Sequence, residues 1–174
     1  MAPVKARSLS SFKIKKEDLI RHFTKAKVRA FKKGERIVLE GEASNSFFFL
    51  HLGKVSVSKK VRGQRGAGLV LGTLAPGNFL GEMATLSGAR RSATVTALTA
   101  VEAVEISRSE FEARVRGADA LAGQIALEFA VQLAARSSRI LNLLARNGAM
   151  LSQAQAKPVD VRQVLHKVYS FWAV

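Results

Sequence analysis

The sequence predicts a mainly β fold with flanking helices: an antiparallel β-roll of the double-stranded jelly-roll type, with a short N-terminal helix before it and a long C-terminal helix after it. Three observations lead there. Between Val28 and Ile106 the chain is a series of short apolar or alternating runs separated by glycine-bearing turns, the pattern of paired strands. After Ser107 the apolar residues change to helical spacing. At 174 residues and 48% hydrophobic content, the chain supports one well-buried core with appendages better than two independent domains.

Residues 1–12, rich in Ser and basic side chains, read as a mobile arm. From Lys16 to Ala26, Leu19, Ile20 and Phe23 suit a short amphipathic helix, and Glu17 and Asp18 in its first turn complement the helix dipole. The strand runs are VRAF, ERIVLEG, SFFFLHLG, KVSVSKK, LVLGTL, SATVTAL and VEAVEIS. Turns are expected at Gly34, Gly41, Gly53 and Gly77, and an exposed hairpin loop from Lys59 to Gly68. Ser109 and Glu110 open a helix holding Phe111 and Val115, which Gly117 breaks. A longer helix follows from about Ala120 to Ala145, with Leu121, Ile125, Phe129, Leu133, Ile140 and Leu144 at near-helical spacing and Gly148 as its expected end. Ser152 to Lys157 reads as a linker. Asp160, Val161, Val164, Leu165, Val168, Phe171 and Trp172 then pattern a C-terminal amphipathic helix, which either folds back on the domain or docks a partner. The expected divisions are 1–27 (arm and short helix), 28–107 (roll), 108–148 (hinge and lid or dimerisation helices) and 149–174 (linker and last helix).

Composition narrows the function classes. There is no cysteine, and the three histidines lie far apart, so a metal centre is not expected. No apolar run is long enough to span a membrane, and the N-terminus lacks a signal-peptide core, so the chain reads as cytoplasmic. The formal charge of +15 is uneven: residues 1–36 hold twelve Lys and Arg against Glu17, Asp18 and Glu35. That excess suits nucleic acid, an anionic membrane or an acidic protein, or simply keeps a tail solvated.

The chemistry concentrates in Pro76 to Ala97, PGNFLGEMATLSGARRSATVTA. Gly81 and Ala84 are small enough for a ligand to approach the backbone, beside a carboxylate and an arginine pair on a short turn. A phosphate there would meet the Arg91 guanidinium and the backbone N–H groups of the Gly81 to Ala84 turn. A carboxylate beside an anion site is useful if Glu82 accepts a hydrogen bond from a sugar hydroxyl while Arg91 offsets its charge.

This stretch resembles the phosphate-binding cassette of cyclic nucleotide-binding domains, the family that includes catabolite activator protein and the regulatory subunits of cAMP-dependent protein kinase. The family pattern Phe-x-Gly-Glu-(Leu/Met)-Ala appears as Phe79 to Ala84, and Arg-(Ser/Ala/Thr)-Ala-x-Val as Arg91 to Val95. Gly34-Glu35, Glu40-Gly41-Glu42, Phe47 to Phe49 and Gly53 to Val55 are similar to the family's opening strands, with Asn45 where an aspartate is common. The resemblance covers roughly Phe23 to Gly148. It implies that Glu82 binds the ribose 2′-hydroxyl and Arg91, not Arg90, the cyclic phosphate. Ser92, Ala93 and the Gly81-Glu82-Met83-Ala84 backbone would meet phosphate oxygens and sugar. Leu71 and Met83 stand where the family's base contacts lie. Ser137 and Ser138 fall near a Thr-Ser pair that contacts adenine in the activator proteins, or are solvated helix residues.

The expected ligand is therefore cAMP, or secondarily cGMP, since Ser follows the arginine where Thr often accompanies cGMP in the family. No cofactor and no enzymatic activity are expected. The resemblance implies a receptor whose helices after Ser107 close over the nucleotide, with Arg116-Gly117-Ala118 as hinge, and which signals through an unknown effector protein. The Ala- and Leu-rich helix suits a homodimer. Beyond Gly148 only 26 residues remain, so no DNA-reading winged helix and no sequence-specific DNA binding are expected. The rival reading is a basic scaffold or adaptor without nucleotide control. A cupin-type enzyme would need clustered metal ligands, and His51 stands alone in the roll.

Overall fold

Alternation along the two central strands decides where the core sits. A computed structural model of the protein describes residues 14–60 and 68–153. Eight strands form two four-stranded antiparallel sheets: β1 (Lys27–Phe31), β2 (Arg36–Val38), β3 (Ser46–Leu52), β4 (Val55–Lys59), β5 (Leu69–Leu74), β6 (Phe79–Leu80), β7 (Thr94–Ala97) and β8 (Val101–Ser107). One sheet has the order β1-β8-β3-β6, the other β2-β7-β4-β5. On β3, Phe48 and Leu50 turn into the roll, where they meet Ile37, Val55, Val95 and Ala103. Phe47 and Phe49 point the other way, into a second core with Val104 and Ile106. A strand covered on both faces needs no polar residue at alternate positions, which explains the unbroken FFFL run.

The second core is closed by helices. α1 (Lys16–His22) brings in Leu19, with Phe23 just after it. Between β6 and β7 lies α2 (Glu82–Ser87). α3 (Arg108–Arg116) contributes Phe111, and α4 (Ala120–Gln153) contributes Ala122, Ile125 and Phe129. The Phe47 ring meets Phe111 and Phe129 edge-on at 5.1 Å each, and Phe79 meets Phe129 at 5.0 Å. Such edge contacts add to the stabilisation from buried area. The chain forms two compact units, Met1–Val131 and Gln132–Val174. The roll, its cassette and the second core belong to the first. The described part of the second is helix.

Several expected features differ in detail. The first helix ends at His22, not Ala26, and Ile20 is exposed, so its apolar face is narrower than the pattern implied. The turn expected from Gly81 to Ala84 is instead the start of α2, and Phe79 and Leu80 before it form β6, a strand absent from the expected runs. α4 passes through Gly148 and ends at Gln153, so Ser152 and Gln153 are helical. A glycine inside a helix costs only about 1 kcal/mol, too little to stop one this long. At the expected hinge, Gly117 has an ordinary φ of −79°, and Ala118 takes the left-handed conformation at +56°. Ala118 N–H donates to Val115 C=O and Asp119 N–H to Arg114 C=O. That is the helix-ending arrangement in which glycine usually fills the left-handed position. Glycines 34, 41, 53 and 77 do have positive φ, as the turn reading required. The N-terminal arm, the loop residues 61–67 and the helix expected after Asp160 lie outside the described residues. Among those described, no helix is long and apolar enough to cross a membrane.

Candidate functional site

The cassette is pinned to the roll at its entrance by β6, whose Phe79 and Leu80 pair with Phe49 and Phe48 of β3. The chain then turns at Gly81, whose φ of +79° is left-handed, and enters α2 at Glu82. Gly81 is required twice over. L-residues rarely adopt this φ, and a Cβ there would run into the Arg91 guanidinium. Glu82 is the first residue of α2 and is buried, at 3% exposure. A carboxylate at a helix start is favourably placed in the dipole field, and the first N–H groups of any helix lack intrahelical acceptors. Ala84 is buried and Met83 half-buried.

At the exit, Arg91 is fixed through backbone and side chain alike. Its N–H donates to Glu42 C=O and its C=O accepts from Gly41 N–H, both at 2.9 Å, before β7 begins. Its guanidinium is forked, Nη1 donating to Gly81 C=O at 3.2 Å and Nη2 to Ser46 C=O at 2.7 Å. Arg91 is 8% exposed, whereas Arg90 is exposed and donates to Gly41 C=O. A guanidinium carries five N–H donors. Two of them have protein acceptors here, which leaves three with none among the described residues.

Burial pulls the Arg91 pKa below the ordinary arginine value, and the carboxylates of Glu105, Glu42 and Glu82 push it back up. A cation taken out of water beside a glycine turn is stabilised by any anion that reaches it. Two of its neighbours carry no signal in the motif. The Ser46 hydroxyl donates to Glu105 Oε1 at 3.0 Å, and Arg29 Nη1 donates to Glu105 Oε2 at 3.1 Å. Glu105 on β8 therefore stands between the buried arginine and a surface one. Lys59 Nζ donates to Ser92 C=O at 2.7 Å and lies 3.6 Å from Glu40, tying the end of β4 to the cassette exit. Neither spacing nor alternation marks these residues, because sheet pairing brings them in from distant strands.

The remaining sequence-selected residues are more dispersed. Ser92 and Ala93 are half-buried, and Ser92 Oγ approaches Met83 Sδ at 3.6 Å. Leu71 lies on β5, the outer strand of its sheet, at 52% exposure. Its neighbours Leu69 and Val70 are also more than half exposed. Ser137 and Ser138 lie on α4 in the second unit, and adjacent helical residues point about 100° apart. Among the described residues, no group of three or more His, Cys, Asp or Glu is placed to hold a metal ion.

With that geometry in view, the comparisons are specific. The family model of the cyclic nucleotide-binding domain matches residues 28–117, from the second residue of β1 to the residue after α3. A cAMP-dependent protein kinase regulatory subunit of Debaryomyces hansenii is 38% identical over 81 residues, 47% of this chain and 17% of its own length. The regulatory domain of Toxoplasma gondii PKA, solved with cAMP, superposes with a TM-score of 0.50 at 26% identity, covering 57% of this chain and 37% of that one. The catabolite activator protein of Thermus thermophilus shares the fold, with a TM-score of 0.60 at 21% identity over 90% of this chain and 84% of that one. The chain spans well under half the length of the curated relatives it matches, between 17% and 36%.

Proposed function

The chain belongs to the cyclic nucleotide-binding domain family, and from that premise we propose that it is a cyclic-nucleotide receptor, with cAMP preferred over cGMP, that signals through a partner protein. The observation that carries this reading is the buried, forked Arg91 beside the Gly81 turn, with three N–H donors that have no acceptor among the described residues. In this reading the cyclic phosphate accepts from Arg91, from Ser92 and from the backbone of Gly81 to Ala84, with Ala93 lining the exit. Glu82 accepts from the ribose 2′-hydroxyl. The base lies against Leu71 and Met83, and Ser137 or Ser138 meets its edge.

Ligand binding then acts as a population shift: the nucleotide favours the arrangement in which the helices after Ser107 cover it, and the Arg116 to Ala118 segment turns. On this view residues 28–107 receive the nucleotide and 108–148 report it. The N-terminal helix α1 closes the second core through Leu19, with Phe23 beside it, and α4 offers a surface for a second copy. The Debaryomyces relative is named a regulatory subunit, which supports a regulatory role over a catalytic one.

The test is isothermal titration of the protein with cAMP and with cGMP in parallel. Saturable binding with cAMP tighter is the expected result. Absence of heat with both nucleotides, in folded and ligand-free protein, would favour the basic adaptor instead.

A further inference from the structure

Outside the cassette motif, β1 carries a combination of features that the residues proposed to touch the nucleotide do not include. It is the outer strand of its sheet and, among the described residues, pairs with β8 alone. In an antiparallel pair every second residue turns its N–H and C=O away from the partner strand. Among the described residues, no backbone bond reaches the free side of Lys27–Phe31. Lys27, Val28, Arg29 and Ala30 are all exposed.

The same stretch is strongly basic. Lys25, Lys27, Arg29, Lys32, Lys33 and Arg36 supply six cations within twelve residues, against Glu35 alone. Glu35 is engaged with its own turn, accepting from Lys32 N–H at 2.8 Å. Of the six cations only Arg29 has an ion pair among the described residues, the one with Glu105 at 3.1 Å. Lys27 and Arg29 share a strand face, since side chains alternate.

Charge on an open edge keeps two copies of the same strand from pairing. It also selects for a strand of opposite charge. Nucleic acid or an anionic membrane would engage the cations and leave the open backbone ladder unused, and Phe31, the one aromatic residue of β1, is half-buried and turned toward Phe48 of the core. An extended acidic peptide uses both features at once, with main-chain hydrogen bonds supplying affinity and alternate carboxylates supplying register. We propose that the free edge of β1 binds an extended acidic segment of a partner protein by strand addition. The segment's carboxylates meet Lys27 and Arg29, and at Arg29 they compete with Glu105.

The experiment is a fluorescence-anisotropy titration of the full chain with a labelled peptide alternating Glu and Thr. Two versions N-methylated on the odd or the even backbone nitrogens, a single-stranded DNA of equal charge and phosphatidylserine vesicles are run beside it. The unmodified peptide should bind, and one methylated version should bind at least about tenfold more weakly, the loss of several charge-oriented backbone bonds. Amides of residues 27–31 should gain hydrogen-exchange protection. Lys27→Glu should weaken peptide binding about tenfold and leave cyclic-nucleotide titrations unchanged, a control that also reports folding. The proposal is overturned if the peptide does not bind or if both methylated peptides bind as well as the parent. It is equally overturned if DNA or vesicles bind more tightly than the peptide and leave the β1 amides unprotected.

Discussion

At the phosphate end of the proposed site, Glu82 and Arg91 are both more than nine-tenths buried, and the arginine is held by four hydrogen bonds, two through its backbone and two through its guanidinium. At the base end, Leu69, Val70 and Leu71 stand more than half exposed on an outer strand. The first end is organised before a ligand arrives, so little conformational entropy is lost there on binding. The second offers apolar area and no fixed hydrogen-bonding partner on the strand. Affinity should therefore reside at the phosphate end, and discrimination between bases should depend on what covers β5.

The strongest way to break this contrast is at Arg91. Arg91→Ala removes the fork and leaves the phosphate without its cation, and calorimetry should show cAMP affinity falling at least about 100-fold, or about 3 kcal/mol. Gly81→Ala comes next. It forces a left-handed φ on a β-carbon that also meets Arg91, at a cost of about 2 kcal/mol. Thermal melting should show Tm lower by roughly 5 °C, together with weaker nucleotide binding.

At the other end, Leu71→Ala should weaken cAMP by about fivefold, about 1 kcal/mol of apolar contact, and leave the melting curve of the ligand-free protein unchanged. An equal loss from Leu71→Ala and Arg91→Ala would erase the distinction between the ends. The smallest effect is expected at Glu105. Glu105→Gln keeps an oxygen for the Ser46 hydroxyl and removes a carboxylate that competes with phosphate for Arg91. Competition titrations should then show cAMP binding about threefold tighter, with a steeper dependence on salt.

The same contrast governs how far the sequence could be read. LVLGTL ends where β5 ends because Gly68 and Pro76-Gly77 bound it, and VEAVEIS ends where β8 ends because the spacing turns helical at Arg108, where α3 begins. Gly81, Glu82 and Arg91 stand out as residue types in a fixed order, and the fold brings them into one turn and one fork. β6 is two residues long and α2 six, too short for periodicity to register, so no strand is expected at Phe79-Leu80 and a turn is expected where α2 begins. The end of α4 was misplaced because one glycine was given the weight of a stop signal. Ser46 and Glu105 reach Arg91 only through the pairing of β3 with β8, and no local pattern encodes that pairing. Register is a property of the whole sheet, so residues that enter the site through it are visible only in three dimensions.

The most direct test of the central claim separates the phosphate from the rest of the nucleotide. The protein is titrated with cAMP and with adenosine under the same conditions. If the buried Arg91 fork carries the affinity, cAMP binds saturably and adenosine binds at least about 100-fold more weakly, the worth of a desolvated charge-assisted contact. Adenosine binding as tightly as cAMP would place the affinity at the base end and contradict the account.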